Sequence, residues 1–305
     1  MMNIELEDIM GVKFRNYTKE LGCSEDYFKV RAFLLKKKDH GFPFGRFDWM
    51  ITHGYLQEEY LDRIGLWEDD GIIIAAALFD CHLGNAFCLT LDGYEHLKEE
   101  LFLYAKDHLA HQEEFNMVID NDDTQYQEIL AKNHFVPSQH SEHNAVFLME
   151  TTSMDYILPE GFRIVSMKDD YNPHHYLQAL WKGFNHELDG EGEFVFSNEK
   201  KQKVDAEMLR PNVDLDLKIA VAAPNGDFVA YCGMWFDPAS EFALVEPVAT
   251  DPAYRKMGLG KAAVLEGVRR CYERGAKKAF VGSNQQFYYN IGFRPEKTYT
   301  LWKKH

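Results

Sequence analysis

One stretch restricts the fold more than any other. An apolar strand over 242–250 runs into the loop Arg255-Lys256-Met257-Gly258-Leu259-Gly260-Lys261, and a helix over 259–274 starts at the loop's end and stops at Gly275. In that order, the successive N–H groups from Lys256 to Lys261 face one concavity at a helix N-terminus. Four amides lack partners there and the dipole is positive. The two glycines let the backbone approach a bound group closely. Arg255, Lys256 and Lys261 add full positive charges, so a pyrophosphate is the natural occupant. The segment has neither the Gly-Lys-Ser/Thr of a Walker loop nor the GxGxxG of dinucleotide folds.

The flanking elements extend this unit. Strands are expected at 161–165, 217–223, 228–236 and 242–250, the last three forming an antiparallel meander through the turns Pro224-Asn225-Gly226 and Asp237-Pro238-Ala239. Helices are expected at 173–187 and 198–209 before the meander. After the long helix come a strand at 278–282, a short helix at 285–290 and a closing strand pair at 293–303. The first half shows a similar order. A helix at 25–38 is capped by Ser24, strands follow at 71–79 and 85–91, then a helix at 94–111, a strand at 115–119, a helix at 124–131 and a strand at 145–150. Repetition of this order predicts duplication of one fold, with domains 1–150 and 151–305 joined by a linker at 151–159.

Charge is unevenly divided. The net charge is −16, and residues 1–150 hold 13 Lys+Arg against 28 Asp+Glu, whereas residues 251–305 hold 12 basic against 4 acidic residues. The local basic excess coincides with the glycine loop, and overall acidity opposes a nucleic-acid partner. Even the most apolar stretch ends at Asp80, so no membrane partner is expected. The acidic start of the chain, Glu5, Glu7 and Asp8, does not suit a leader, and a cytoplasmic location is the expectation. The five cysteines are scattered and never spaced CxxC. Among the clustered histidines of the first half, His108 and His111 share i,i+3 spacing on an expected helix, with no carboxylate motif beside them, so no metal is expected.

The segment Arg255 to Gly260, after a strand ending in Val248-Ala249-Thr250-Asp251-Pro252 and before a helix, resembles the acyl-CoA pyrophosphate loop of the GNAT (GCN5-related) N-acetyltransferases. Downstream, Phe287-Tyr288-Tyr289-Asn290-Ile291-Gly292-Phe293 is similar to that family's L-Y-x-x-x-G-F signature, with Tyr288 on the family's tyrosine. In the first half, residues 120–135 echo the tail signature, but Asp92-Gly93-Tyr94-Glu95-His96-Leu97 stands in place of the basic loop. The resemblance is thus to a tandem GNAT with a degenerate N-terminal copy. It implies an α/β (α+β) fold of two GNAT-like domains, each a mixed, mostly antiparallel sheet flanked by helices. The C-terminal copy is expected to be catalytic.

The resemblance also implies a reaction: acetyl transfer from acetyl-CoA, as acyl-donor co-substrate, to a small-molecule amine by direct attack in a ternary complex. Such a step needs a neutral amine held at the carbonyl, a donor at the oxyanion and a proton for the leaving thiolate. Backbone groups of Val248, Ala249 and Thr250 resemble the splayed strand that holds pantetheine. Arg255, Lys256, Met257, Gly258, Leu259, Gly260, Lys261 and Ala262 would hold the pyrophosphate. Asn284 would lie on the pantetheine, though the spacer from Ser283 to Phe287 is shorter than the family's. Tyr288 would protonate the thiolate.

Glu246 is the carboxylate best placed as general base through water, provided its side chain faces the cleft. Purely structural readings stand beside these. The loop as a helix-capping turn, Tyr288 as a core aromatic and Glu246 as a solvated edge carboxylate are the alternatives. The acidic loop Glu187, Asp189, Glu191 and Glu193 suits a cationic amine, or is simply solvated. A protein or peptide lysine or N-terminal amine as acceptor, and a non-catalytic acyl-CoA-binding module, are the competing functions. The first half is expected to wall the acceptor site or to form a homodimer interface.

Overall fold

The computed structural model describes residues 11–20 and 22–304. The chain's acidic start, on which the expected location partly rests, lies outside the described residues. Strands and helices follow in the order β1 (Lys13–Asn16), α1 (Glu25–Lys37), α2 (Phe44–Thr52), β2 (Gly65–Asp69), β3 (Ile72–Asp80), β4 (His82–Thr90), α3 (Lys98–His108), β5 (Asn116–Asp120), α4 (Thr124–Lys132) and β6 (Phe135–Leu148). The second half supplies β7 (Arg163–Ser166), α5 (Pro173–Gly183), α6 (Asn198–Met208), β8 (Lys218–Ala222), β9 (Phe228–Trp235), β10 (Phe242–Thr250), α7 (Leu259–Glu273), β11 (Lys278–Val281), α8 (Gln286–Asn290) and β12 (Arg294–Lys304).

Two compact units emerge, one of Met1–His143 with Lys297–His305, the other Asn144–Glu296. They differ from a cut at residue 150 because two strands change unit along their length. β6 gives residues 144–148 to the second unit, where they pair with β11, and β12 gives its last residues to the first, where they pair with β5. Within the first unit the strand order is β1-β2-β3-β4-β5-β12, and within the second β7-β8-β9-β10-β11-β6. Each is antiparallel throughout except for one parallel pair, β4 with β5 and β10 with β11. The same sequence of strand senses recurs in both units.

In the second unit, alternation along β8 decides what each face packs. Ile219 and Val221 join the core under α7 with Cys232, Met234 and Leu265, while Ala220 and Ala222 join Tyr176, Val204 and Tyr231 under α5 and α6. α7 presses so close to β9 that a Cβ on Gly267 would come within 2.7 Å of Met234. In the first unit, α1 and α3 pack on β3, whose Ile73 to Phe79 are all buried.

Several expectations need correction. The helix expected at 94–111 is shorter, because residues Glu95–Leu97 make a 3-10 turn before α3. The closing pair expected at 293–303 is one strand, β12, and the strand expected at 145–150 is the end of the 14-residue β6. β1, β2 and α2 carry too little periodic signal to be read from sequence.

Candidate active site

The second unit opens where its parallel strands part. β10 and β11 pair at Phe242↔Lys278, Ala243↔Ala279 and Leu244↔Phe280, and the registered pairing ends there. On its other edge β10 slips against β9, from Val245↔Met234 to Val248↔Cys232, so Glu246 and Pro247 together oppose Gly233. Pro247 has no N–H to give a ladder, which fits the slip. A Cβ on Gly233 would run into the Glu246 carbonyl, so the crowded crossing requires glycine. The Glu246 carbonyl itself accepts from Trp235 Nε1 at 3.1 Å. Beyond the slip, the backbone of Val248 to Thr250 lines a cleft of about 900 Å³ together with Tyr254 to Lys256, Gly258 to Lys261 and Phe287 to Tyr288.

The loop between β10 and α7 builds one end of the cleft. Asp251 caps the turn Pro252–Tyr254 through Ala253 N–H, and Lys256 and Gly258 both take positive φ, 65° and 83°. Left-handed residues alternating in this way turn successive amides toward one side. Among the described residues, none of the six amides from Lys256 to Lys261 has an acceptor within the chain; the first helical bond is Ala262 N–H to the Gly258 carbonyl, 2.9 Å. That bond corrects one expectation. Ala262 has spent its amide on the helix and its side chain lies in the core, so it offers the cleft nothing. Gly260 closes the floor, since a Cβ there would stand 2.7 Å from Thr250 Oγ1. A row of unpaired amides at a helix N-terminus, over a floor with no room for a side chain, fits a pyrophosphate.

At the other end stands Tyr288, 7% exposed and packed edge-on against Phe287 and Phe293. Burial pushes its hydroxyl far above the ordinary tyrosine value, and the charges of Cys232 and Glu246 push the same way. The group therefore stays protonated at neutral pH. The part-buried Glu246 is close enough to act electrostatically on Tyr288 and Cys232, yet is not on the lining of the cleft. Nor are Met257, an exposed loop residue, and Asn284, which is exposed one residue before the lining Gln285.

Residues 167–293 match the family described as acetyltransferase (GNAT). They form a GNAT-family domain. No curated protein sequence matches the chain. Among solved structures, a GCN5-related N-acetyltransferase from Sphaerobacter thermophilus aligns over 97% of this chain and 96% of its own at 14% identity, TM-score 0.55. A tandem GNAT protein from the clavulanic acid biosynthesis pathway aligns over 96% and 98% at 11% identity, TM-score 0.56. A GNAT-family acetyltransferase from Colwellia psychrerythraea aligns over 96% and 100% at 10% identity, TM-score 0.59. At these identities the likeness speaks for the fold, and it covers both units.

The GNAT-like first unit repeats the wedge without the nest. β4 and β5 pair only at Asn85↔Asn116 and Ala86↔Met117 before parting. Where the phosphate loop would be, three of the amides already have partners: Gly93 N–H donates to the Glu95 carboxylate at 2.9 Å, Tyr94 to Leu91 O and Leu97 to Tyr94 O. A carboxylate thus occupies the anion's place. Four residues before His134, whose φ is positive as is that of Gly292 in the second unit, stands the buried Leu130 where that unit has Tyr288.

The sequence did not point to Gly183, Phe184 and Asn185, which form one wall of the GNAT cleft. Their signal was faint: a glycine near a helix end followed by Asn, a common C-terminal pattern. Among the described residues, no group of three or more His, Cys, Asp or Glu is arranged to hold a metal, and no helix is long and apolar enough to cross a membrane.

Proposed function

We propose that the second unit transfers the acetyl group of acetyl-CoA to the amine of a small cationic acceptor by direct attack in a ternary complex. The observation that carries this reading is the row of unpaired amides from Lys256 to Lys261 sharing one cleft with a buried, protonated Tyr288. When bound, acetyl-CoA supplies a thioester whose C–S bond breaks as the C–N bond forms. The loop amides hold the pyrophosphate, with Lys256 and Lys261 adding charge. The freed backbone of Val248 to Thr250 orients the pantetheine and polarises the carbonyl. Tyr288 gives its proton to the departing thiolate, and the attacking amine gives its proton to water in the cleft.

Support for a cationic acceptor comes from Glu187, Asp189, Glu191 and Glu193, which follow the cleft-lining Phe184 and Asn185 in one loop. The same loop exposes Leu188 and Val195, which favours a second reading with a lysine-bearing peptide as acceptor. A cytoplasmic location accords with the use of acetyl-CoA. The test is a calorimetric titration of acetyl-CoA into the whole protein beside Gly258→Asp, followed by thiol-release assays on amines and on lysine peptides. Micromolar binding lost in the variant, with turnover on a small amine, is the expected result. Absence of binding to the parent protein would sink the reading.

A further inference from the structure

We propose that Arg255 is not a phosphate ligand but a latch, which joins the donor loop to the turn after α5 so that acetyl-CoA binding orders the wall of residues 183–185. The inference rests on the donor site proposed above. Arg255 Nη2 donates to the Gly183 carbonyl at 2.9 Å and to Asn185 Oδ1 at 2.7 Å, while Nε donates to the Thr250 carbonyl at 3.2 Å. These acceptors lie at the end of α5 and the end of β10. Gly183 belongs to the last turn of α5, where carbonyls lack helical partners and the dipole is negative, so the guanidinium caps that end. An anion, by contrast, is drawn to the opposite kind of terminus, at the start of α7. The side chain is thus turned toward a helix C-terminus while its neighbours' amides serve a helix N-terminus.

The turn itself is built to be held. Asn185 takes φ 69°, a left-handed conformation that Asn tolerates and that aims its side chain at Arg255. Gly183 lies against β10 so closely that a Cβ would meet Thr250 N at 2.8 Å. The amides of Phe184, Asn185 and His186 bond back to Leu180, Lys182 and Trp181 carbonyls, so opening of this turn is readable by hydrogen exchange.

The test uses the whole protein, Arg255→Ala, Arg255→Lys and Asn185→Ala, with two readouts. The first is affinity for 3′-phosphoadenosine 5′-diphosphate, which carries the pyrophosphate without pantetheine. The second is exchange at amides 184–186 with and without acetyl-CoA. A latch predicts fragment affinity within about twofold of the parent in all three variants. Exchange at 184–186 should speed by about tenfold, the scale of one hydrogen bond to a charged group. Lysine should fail to rescue, since one ammonium cannot span three acceptors, and acetyl-CoA should slow exchange at 184–186 in the parent but not in the variants. Loss of fragment affinity in Arg255→Ala that Arg255→Lys restores, with exchange unchanged, would overturn the latch. If the parent binds no acetyl-CoA, the functional reading fails separately, and unchanged exchange in the variants would overturn the latch as well.

Discussion

Gly183 and Ala249 are in such close contact that a Cβ added to Gly183 would stand 2.6 Å from the Cβ of Ala249. The last turn of α5 therefore leans on the same strand residues whose backbone lines the cleft, and one methyl group would pry the two apart. Gly183→Ala is expected to lower stability by about 1–3 kcal/mol, the usual cost of overpacking. Acetyl-CoA affinity should fall with it. Thermal unfolding and calorimetry on the same preparation check both, and a variant with parental melting and affinity would show that the contact relaxes freely.

Tyr288→Phe separates binding from chemistry. The ring packs on Phe287 and Phe293 and keeps its place without the hydroxyl, so acetyl-CoA should bind with near-parental affinity. Turnover should fall by roughly 10²-fold or more, the scale of a lost general acid. Because burial holds the hydroxyl protonated far above its ordinary range, the parent's rate should not decline from this group anywhere below pH 10. A Phe variant with full turnover would leave Tyr288 as a core aromatic.

A pH effect on stability should come from elsewhere in the second unit. Burial raises the Glu207 carboxyl from its ordinary 4.5 to about 7, partly opposed by Lys218 and by the Tyr176 hydroxyl, which donates to it at 3.4 Å. The folded state then binds the proton more tightly than the unfolded chain. Stability from this group is full below about pH 4.5, falls as pH rises, and levels off above about pH 7. At about 1.36 kcal/mol per unit the total is no more than about 3 kcal/mol for this part-buried side chain. Urea titrations between pH 4.5 and 7.5 should show the decline in the parent and its disappearance in Glu207→Gln.

How far the sequence could be read follows from where each signal lay. Ser24 caps α1 through Tyr27 N–H, and the meander β8-β9-β10 pairs as its turns implied, because these are local signals of capping and alternation. The glycine loop was legible because nest geometry depends on adjacent residues. The exchange of β6 and β12 between units was not, since pairing Ala145 with Val281 and Trp302 with Met117 is decided by distant partners. Nor was the turn of Arg255 toward α5, because three acceptors from two separated elements fix it.

The contrast between the two units makes the last prediction. Each unit opens a wedge beside its parallel strand pair, but in the second an unbroken run of six amides, Lys256 to Lys261, has no acceptor among the described residues. In the first, Glu95 already bonds the Gly93 amide and would repel a phosphate, and Leu130 replaces the tyrosine. Acetyl-CoA should therefore bind with a stoichiometry of one per chain. Gly258→Asp should abolish all of the binding heat, since its carboxylate would stand among the loop amides as Glu95 does in the first unit. The residue also takes φ 83°, a conformation that Asp tolerates better than most, so the fold should survive the change. A second equivalent of acetyl-CoA bound in the parent and retained in the variant would mean that the first wedge holds the cofactor by contacts other than a phosphate nest.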